Sequence, residues 1–206
     1  MRVLPRAFPL CALSRFPGCP ASTRGRALLD RFTRRFPTGG RVLQVRVASA
    51  DDLPRLLEIY NHYVTHTHVT FDTEPLSLPE RRVWFDAFAK EGPYRLFVVE
   101  AGAGVSGYAS SREFRNKPAY IRSVETSIYL APEAAGSGLG SALYSQLLGT
   151  LAEEETVHRA YGGIALPNDA SIALHRRFGF KPVATFSEVG FKFGRYWDVA
   201  WFERAV

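Results

Sequence analysis

The chain predicts an α/β fold, a single domain on a mixed, mostly antiparallel sheet with helices on both faces. Three observations predict it. From Val42 onward, alternating apolar stretches and stretches with apolar residues every three or four positions follow the order β-α-α-β-β-β-α-β-α-β-β. A length of 206 residues suits one sizeable domain and not two. The third is a junction, "SIYLAPEAAGSGLGSALYSQLL", where Gly136, Gly138 and Gly140 separate a strand pattern from a helix pattern.

Each element has its own signal. "LQVRVASA" alternates as a strand does. Asp51 reads as the N-cap of the next helix, with Pro54 in the first turn and Leu53, Leu56, Leu57, Tyr60 and Val64 at helical spacing. Ser77 and Glu80 form a capping box before a second helix through Val83, Trp84, Phe85 and Phe88. "RLFVVEAGAGVSGYASS" predicts a hairpin around a glycine-rich turn, and "AYIRSVETSIYL" a long strand. Beyond the glycines, Leu139, Leu143, Leu147 and Leu151 recur at i, i+4. "YGGIAL" reads as a short buried strand and 169–178 as a helix stopped by Gly179. The remainder reads as two strands joined near 190–194.

Residues 1–41 stand apart. They hold nine arginines against one acid, Asp30, whereas residues 42–206 carry 17 basic and 19 acidic side chains. The net charge of +6 therefore belongs to the extension and not to the domain, which argues against a nucleic-acid partner. With five prolines and no sustained period, the extension reads as disordered. Two accounts of it compete. An Arg- and Ala-rich transit peptide would place the protein in an organellar matrix. A stretch translated ahead of a true start near 42–45 would leave it cytoplasmic; the missing cleavage pattern weighs that way, although Met1 is the only methionine. No apolar run nears the ~20 residues of a bilayer span, so no membrane partner is expected. Cys11 and Cys19 both lie in the extension, which leaves the domain without a thiol. His62, His66 and His68 lack a carboxylate or fourth ligand at useful spacing, so no metal is expected.

A glycine-rich turn that opens a helix offers unpaired backbone N–H groups at the positive end of a helix dipole, which suits a phosphate. Glycine is required because a Cβ would obstruct the anion and because positive φ is needed. No GxxxxGK follows, so the turn is not a P-loop. Gly136, Gly138 and Ser141 lack the third glycine of a dinucleotide fingerprint, and no acidic ribose reader follows.

The segment Ala135-Gly136-Ser137-Gly138-Leu139-Gly140 resembles the (Q/R)-x-x-G-x-(G/A) pyrophosphate loop of the GNAT superfamily of N-acetyltransferases. The second superfamily signature follows as "NDASIALHRRFGF". Within that superfamily the chain is most similar to the phosphinothricin/methionine-sulfone acetyltransferase group, through "IYNHYV", "VTFDTEP", "VETSIYL", "GSGLGSALY", "LPNDASIALHRRFGF" and "VGFKFGRYWDV" across residues 45–202. It departs at Ala135, where the pattern has Gln or Arg, so one side-chain contact to the diphosphate is missing.

The resemblance implies a GNAT acyltransferase fold over 42–206, with acetyl-CoA as co-substrate and a small amino-acid-like amine as acceptor. Transfer is implied to be direct, in agreement with a domain that has no cysteine to carry an acetyl group. Glu125, Ser127 and Tyr129 share one face of their strand. A carboxylate in such an apolar run is costly unless used or paired, or else it faces solvent at an edge. The resemblance makes Glu125 the base and His175 the proton donor to the leaving sulfur. It assigns Ala135, Gly136, Ser137, Gly138, Leu139, Gly140 and Ser141 to the diphosphate. Ser127, Ile128 and Tyr129 would pair with the pantetheine amides, an N–H near Ile128 would hold the oxyanion, and Asn168 would touch the same arm. For the acceptor it points to Arg112 or Arg115 for a carboxylate, with Phe71, Tyr120 and Lys192 around it. Such enzymes are often homodimers, and "YWDVAWF" offers an interface. The rival readings are a protein or peptide amine acetyltransferase and a non-catalytic acyl-CoA sensor.

Overall fold

The computed structural model describes residues 43–102 and 104–206; the extension and its boundary at 41/42 lie outside them. Within these residues the element order matches the sequence pattern. The strands are β1 (Leu43–Val47), β2 (Leu96–Ala101), β3 (Val105–Glu113), β4 (Ser123–Leu130), β5 (Arg159–Ala165), β6 (Lys181–Lys192) and β7 (Arg195–Ala205). The helices are α1 (Leu53–His66), α2 (Leu78–Phe85), α3 (Leu139–Ala152) and α4 (Asp169–Arg177). One sheet runs β1-β2-β3-β4-β5-β7-β6. All neighbours are antiparallel except β4 and β5.

That parallel pair sets up the site. β4 and β5 match only from Ser123/Arg159 to Glu125/Tyr161, whereas β4 stays paired with β3 as far as Leu130. The two strands therefore form a fork whose prongs, past Glu125 and Tyr161, share no ladder. Helices cover both faces of it. On one, Leu143, Tyr144, Leu147 and Leu151 of α3 are fully buried, and Tyr144 Oη lies 3.4 Å from Thr126 Oγ1. On the other, Tyr60 and Tyr63 of α1 meet Tyr129 edge-on, at 5.3 and 5.4 Å between ring centres. Alternation along β4 sends Thr126 one way and Tyr129 the other. Among the described residues no helix is long and apolar enough to cross a membrane.

Three local expectations are corrected. The entry to α1 is capped by Ser49 and Asp52, not Asp51: Asp52 closes a capping box on Ser49 and is held by Arg46 at 2.7 Å. The box at Ser77 and Glu80 is present, but α2 stops at Phe85 and its apolar face is displaced. Val83 is 75% exposed while Arg81 is 3% exposed, stacked 3.4 Å from the Trp84 ring and donating to Tyr108 Oη at 2.6 Å. Positions 81, 84, 85 and 88 share one side of a helix, and 83 does not. Finally, the strand expected from "AYIRSVETSIYL" begins only at Ser123, after a 3-10 turn at Pro118–Tyr120.

Candidate active site

Glu125 stands at the crotch of the fork, opposite Arg112 on β3 and Tyr161 on β5. It is half-buried, and among the described residues it has no ion-pair partner and no side-chain hydrogen bond. Burial raises its pKa above the usual carboxylate range, opposed by the charges of Arg115 and then Arg112. Arg115 lies against Phe114 and Trp201, 4.8 and 5.6 Å from their ring centres, and Phe114 stacks on Tyr161 at 4.2 Å. Tyr120 is exposed and touches only the edge of this group, 6.0 Å from Phe114.

A second wall rises from the segment after α1. Tyr60 Oη donates to Asp72 Oδ2 at 2.6 Å and lies 2.8 Å from Thr70 Oγ1. Lys192, 3% exposed, donates from Nζ to Thr70 O at 2.8 Å, and burial lowers its pKa despite the nearby Asp72. Phe71 lies so close to Gly190 that an added Cβ would meet its ring at 2.3 Å. Tyr129 lies within reach of both walls; its hydroxyl is pushed up to about 12, chiefly by burial. Tyr60, Asp72 and Phe114 were not singled out as site residues from the sequence. Tyr60 fitted the helical apolar stripe, and Asp72 adjoins Phe71 in "VTFDTEP", a signal that was available.

Upstream of α3 the chain makes a cradle. Gly136 and Gly138 have φ of 73° and 81°, with open space where a Cβ would be. Among the described residues, the amides of 136–140 have no hydrogen-bond acceptor. Ala135 and Ser141 differ, since their amides are given to Pro132 O and Gly138 O. Gly140 serves packing as well, its absent Cβ facing Leu174 at 3.5 Å, while the Leu139 side chain is core. The edge of β4 turned away from β3 is unladdered through Ser127, Ile128 and Tyr129. Asn168 caps α4, its Oδ1 accepting from Ser171 N at 3.1 Å, which leaves its amide nitrogen free to donate. Open positive-φ turn, free amides and free strand edge fit a diphosphate on a strand-like arm.

His175, expected as the proton donor, is not brought to Glu125 but packs beside Tyr144 of α3. It lies on the α3 face, 3% exposed and against Gly162. Nδ1 lies 2.8 Å from Ser171 O, a carbonyl that can only accept, so that nitrogen carries the hydrogen. Nε2, 3.0 Å from Tyr144 Oη, then accepts. Burial also lowers its pKa. In the neutral ring the one N–H is therefore held by Ser171 O, which argues against the donor role.

Comparison with known proteins follows the same outline. The family model described as an acetyltransferase (GNAT) domain matches residues 45–201. The phosphinothricin N-acetyltransferase of Streptomyces coelicolor is 54% identical over 166 residues, 80% of this chain and 96% of its own. The L-methionine sulfoximine/L-methionine sulfone acetyltransferase of Pseudomonas aeruginosa is 36% identical over 77% of this chain and 92% of its own. A GNAT superfamily phosphinothricin acetyltransferase from Sinorhizobium meliloti, solved in complex with acetyl-CoA, superposes with a TM-score of 0.75 at 36% identity, covering 80% of this chain and 88% of its own.

Proposed function

The chain belongs to the GNAT family of acetyl-CoA-dependent N-acyltransferases, and on that premise we propose that it acetylates the α-amine of a small amino acid or analogue. The acceptor class is that of phosphinothricin, methionine sulfone and methionine sulfoximine. The observation that carries this is Glu125: a half-buried, unpaired carboxylate beside a free strand edge that leads into the glycine cradle.

Acetyl-CoA fits this edge and cradle, and when bound it supplies the acetyl group as an activated thioester. The amides of Gly136, Ser137, Gly138, Leu139 and Gly140 hold the diphosphate. The main chain of Ser127, Ile128 and Tyr129 and the amide of Asn168 align the arm. Glu125 takes the proton from the acceptor's ammonium, directly or through water, and its raised pKa makes it a better match to that task. Arg115, packed against Phe114 and Trp201, or Arg112, opposite Glu125 on β3, pairs with the acceptor carboxylate. Lys192 and Asp72, held by Thr70 and Tyr60, shape the far wall. In this reading His175 supplies no proton to the leaving thiol, because its N–H is held by Ser171 O.

Exposed Phe186, Val189, Phe191 and Tyr196 along β6 and β7, with Phe193 in the turn between them, support a homodimer, to be checked by light scattering across dilution. We place the protein in the cytoplasm, where acetyl-CoA and free amino acids meet. A turnover screen with acetyl-CoA against phosphinothricin, methionine sulfone, methionine sulfoximine and ordinary amino acids tests the reading. Acetylation of at least one analogue is expected. No turnover of any amine, with no calorimetric binding of acetyl-CoA, would overturn it.

A further inference from the structure

The end of α1 and the residues just after it reach both prongs of the fork, at Leu130 and just past β5. Tyr63 Oη donates to Leu130 O, the final residue of β4, at 2.7 Å. Five residues on, His68 Nε2 lies 3.0 Å from Pro167 O, just past the end of β5. A carbonyl only accepts, so Nε2 carries the hydrogen. Between these two bonds the chain is short and tied back to the helix end. Thr67 is extended, with φ −142° and ψ 164°, and both its N–H and its hydroxyl return to Tyr63 O, at 3.2 and 2.9 Å. The His68 ring is held flat, 4.0 Å from the Trp197 ring at an interplanar angle of 6°. Trp197 is itself fixed by donating Nε1 to Lys192 O at 2.9 Å.

Leu130 ends β4 and Pro167 follows β5, and these strands share no ladder past Glu125 and Tyr161, so no direct pairing sets the separation of the two residues. A short segment bonded to both sides spans the gap instead. The segment lies on the Glu125 side of β4, where Tyr63 packs on Tyr129, and Pro167 directly precedes Asn168.

We propose that Tyr63 and His68 are positioning residues, which make the end of α1 a strap that fixes the width of the slot receiving the pantetheine arm. The inference rests on the reading of that slot as the acetyl-CoA site. Losing either bond loosens one end of the strap, and the arm leaves more readily. A hydrogen bond of ordinary net strength corresponds to a change of about three- to tenfold.

The substitutions separate bond from bulk. His68→Phe keeps the stack on Trp197 and removes the donor; His68→Gln keeps a donor and gives up the aromatic stack; Tyr63→Phe removes the other bond. Acetyl-CoA release is followed by stopped-flow tryptophan fluorescence, with steady-state KM for acetyl-CoA and thermal midpoints alongside. His68→Phe and Tyr63→Phe should release acetyl-CoA about three to ten times faster and raise its KM in proportion. His68→Gln should stay within about twofold of wild type, and KM should change more than kcat. Wild-type release in His68→Phe, or a His68→Gln as fast as His68→Phe, would overturn the strap while leaving the acetyltransferase reading intact. A wild-type chain that binds no acetyl-CoA would overturn both.

Discussion

The two faces of β4 each bury a titratable side chain, and they do so in opposite ways. On the α1 face Glu125 is half-buried and unbonded, its pKa raised by a desolvation that the charges of Arg115 and Arg112 only partly offset. On the α3 face His175 is almost wholly buried, yet both ring nitrogens are satisfied, by Ser171 O and Tyr144 Oη. Burial perturbs both groups, but only the unbonded one keeps a lone pair for a reacting proton. Perturbation marks a candidate; vacancy decides between candidates.

The largest expected effect tests the vacant side. Glu125→Gln should lower kcat/KM by about 10²- to 10⁴-fold, the usual contribution of a positioned base. In the wild type, kcat/KM should rise with pH through a pKa above the ordinary carboxylate value, and Gln should abolish that limb. The stability sign is opposite. A carboxylate whose folded pKa is raised contributes stability at low pH and loses it as pH rises through that pKa. Glu125→Gln should therefore melt no lower than wild type at pH 8. A variant that keeps wild-type kcat/KM across pH would remove Glu125 from the mechanism.

Next comes the saturated side. His175→Ala leaves a cavity and strips Tyr144 Oη of its partner, so it should cost about 2–4 kcal/mol of unfolding free energy. Its kcat/KM, measured below the melting transition, should fall less than about tenfold, below the range of a lost acid. Full stability with activity reduced a thousandfold would restore His175 as the proton donor and dissolve the contrast between the faces.

The contrast also shows what the sequence discloses. Gly136 and Gly138 were legible because only glycine enters positive φ freely, so residue identity encodes the turn. The faces of β4 were legible because a strand has period two. The capping box at Ser77 was legible because its partner is three residues away. What escaped was set by contacts distant in sequence. His175 depends on Tyr144, 31 residues away, and Lys192 on Thr70, 122 residues away. Arg81 escaped because charge argued against burial, while Trp84 and Tyr108 supply an aromatic cage that accepts a guanidinium. Asp52 was missed in favour of Asp51 because both are acids at a helix entrance, and only the bond from Ser49 N tells them apart.

A smaller effect separates the cradle from both faces. Gly138→Ala introduces a Cβ at φ 81°, where an L-residue carries a strain of about 1–2 kcal/mol, and nothing lies within 4 Å to clash with it. The loss should therefore fall mainly on the loop's anion-binding geometry. KM for acetyl-CoA should rise about tenfold, with kcat changed by less than about threefold. A lowered kcat at unchanged KM would mean that the turn shapes the reacting end and not the diphosphate.

The smallest expected effect is a gain. Ala135 is exposed and extended, with φ −62° and ψ 143°, and its amide already serves Pro132 O, so it offers the diphosphate nothing. Ala135→Arg restores the kind of side chain usual at this position of the loop without disturbing the turn. An exposed ionic contact is worth about 0.2–1 kcal/mol, so Kd for acetyl-CoA should fall by no more than about fivefold. The gain should shrink in about 1 M salt, where exposed charges are screened within about 3 Å. The size of the gain apportions the anion grip. A modest, salt-sensitive improvement leaves the main-chain amides of 136–140 as the principal donors, because oriented N–H groups at a helix start cannot be screened away so easily. An improvement of a hundredfold or more would transfer that role to the side chain. The native turn would then be a weakened site, and the glycines would matter for fitting the helix to the strand more than for holding the phosphate.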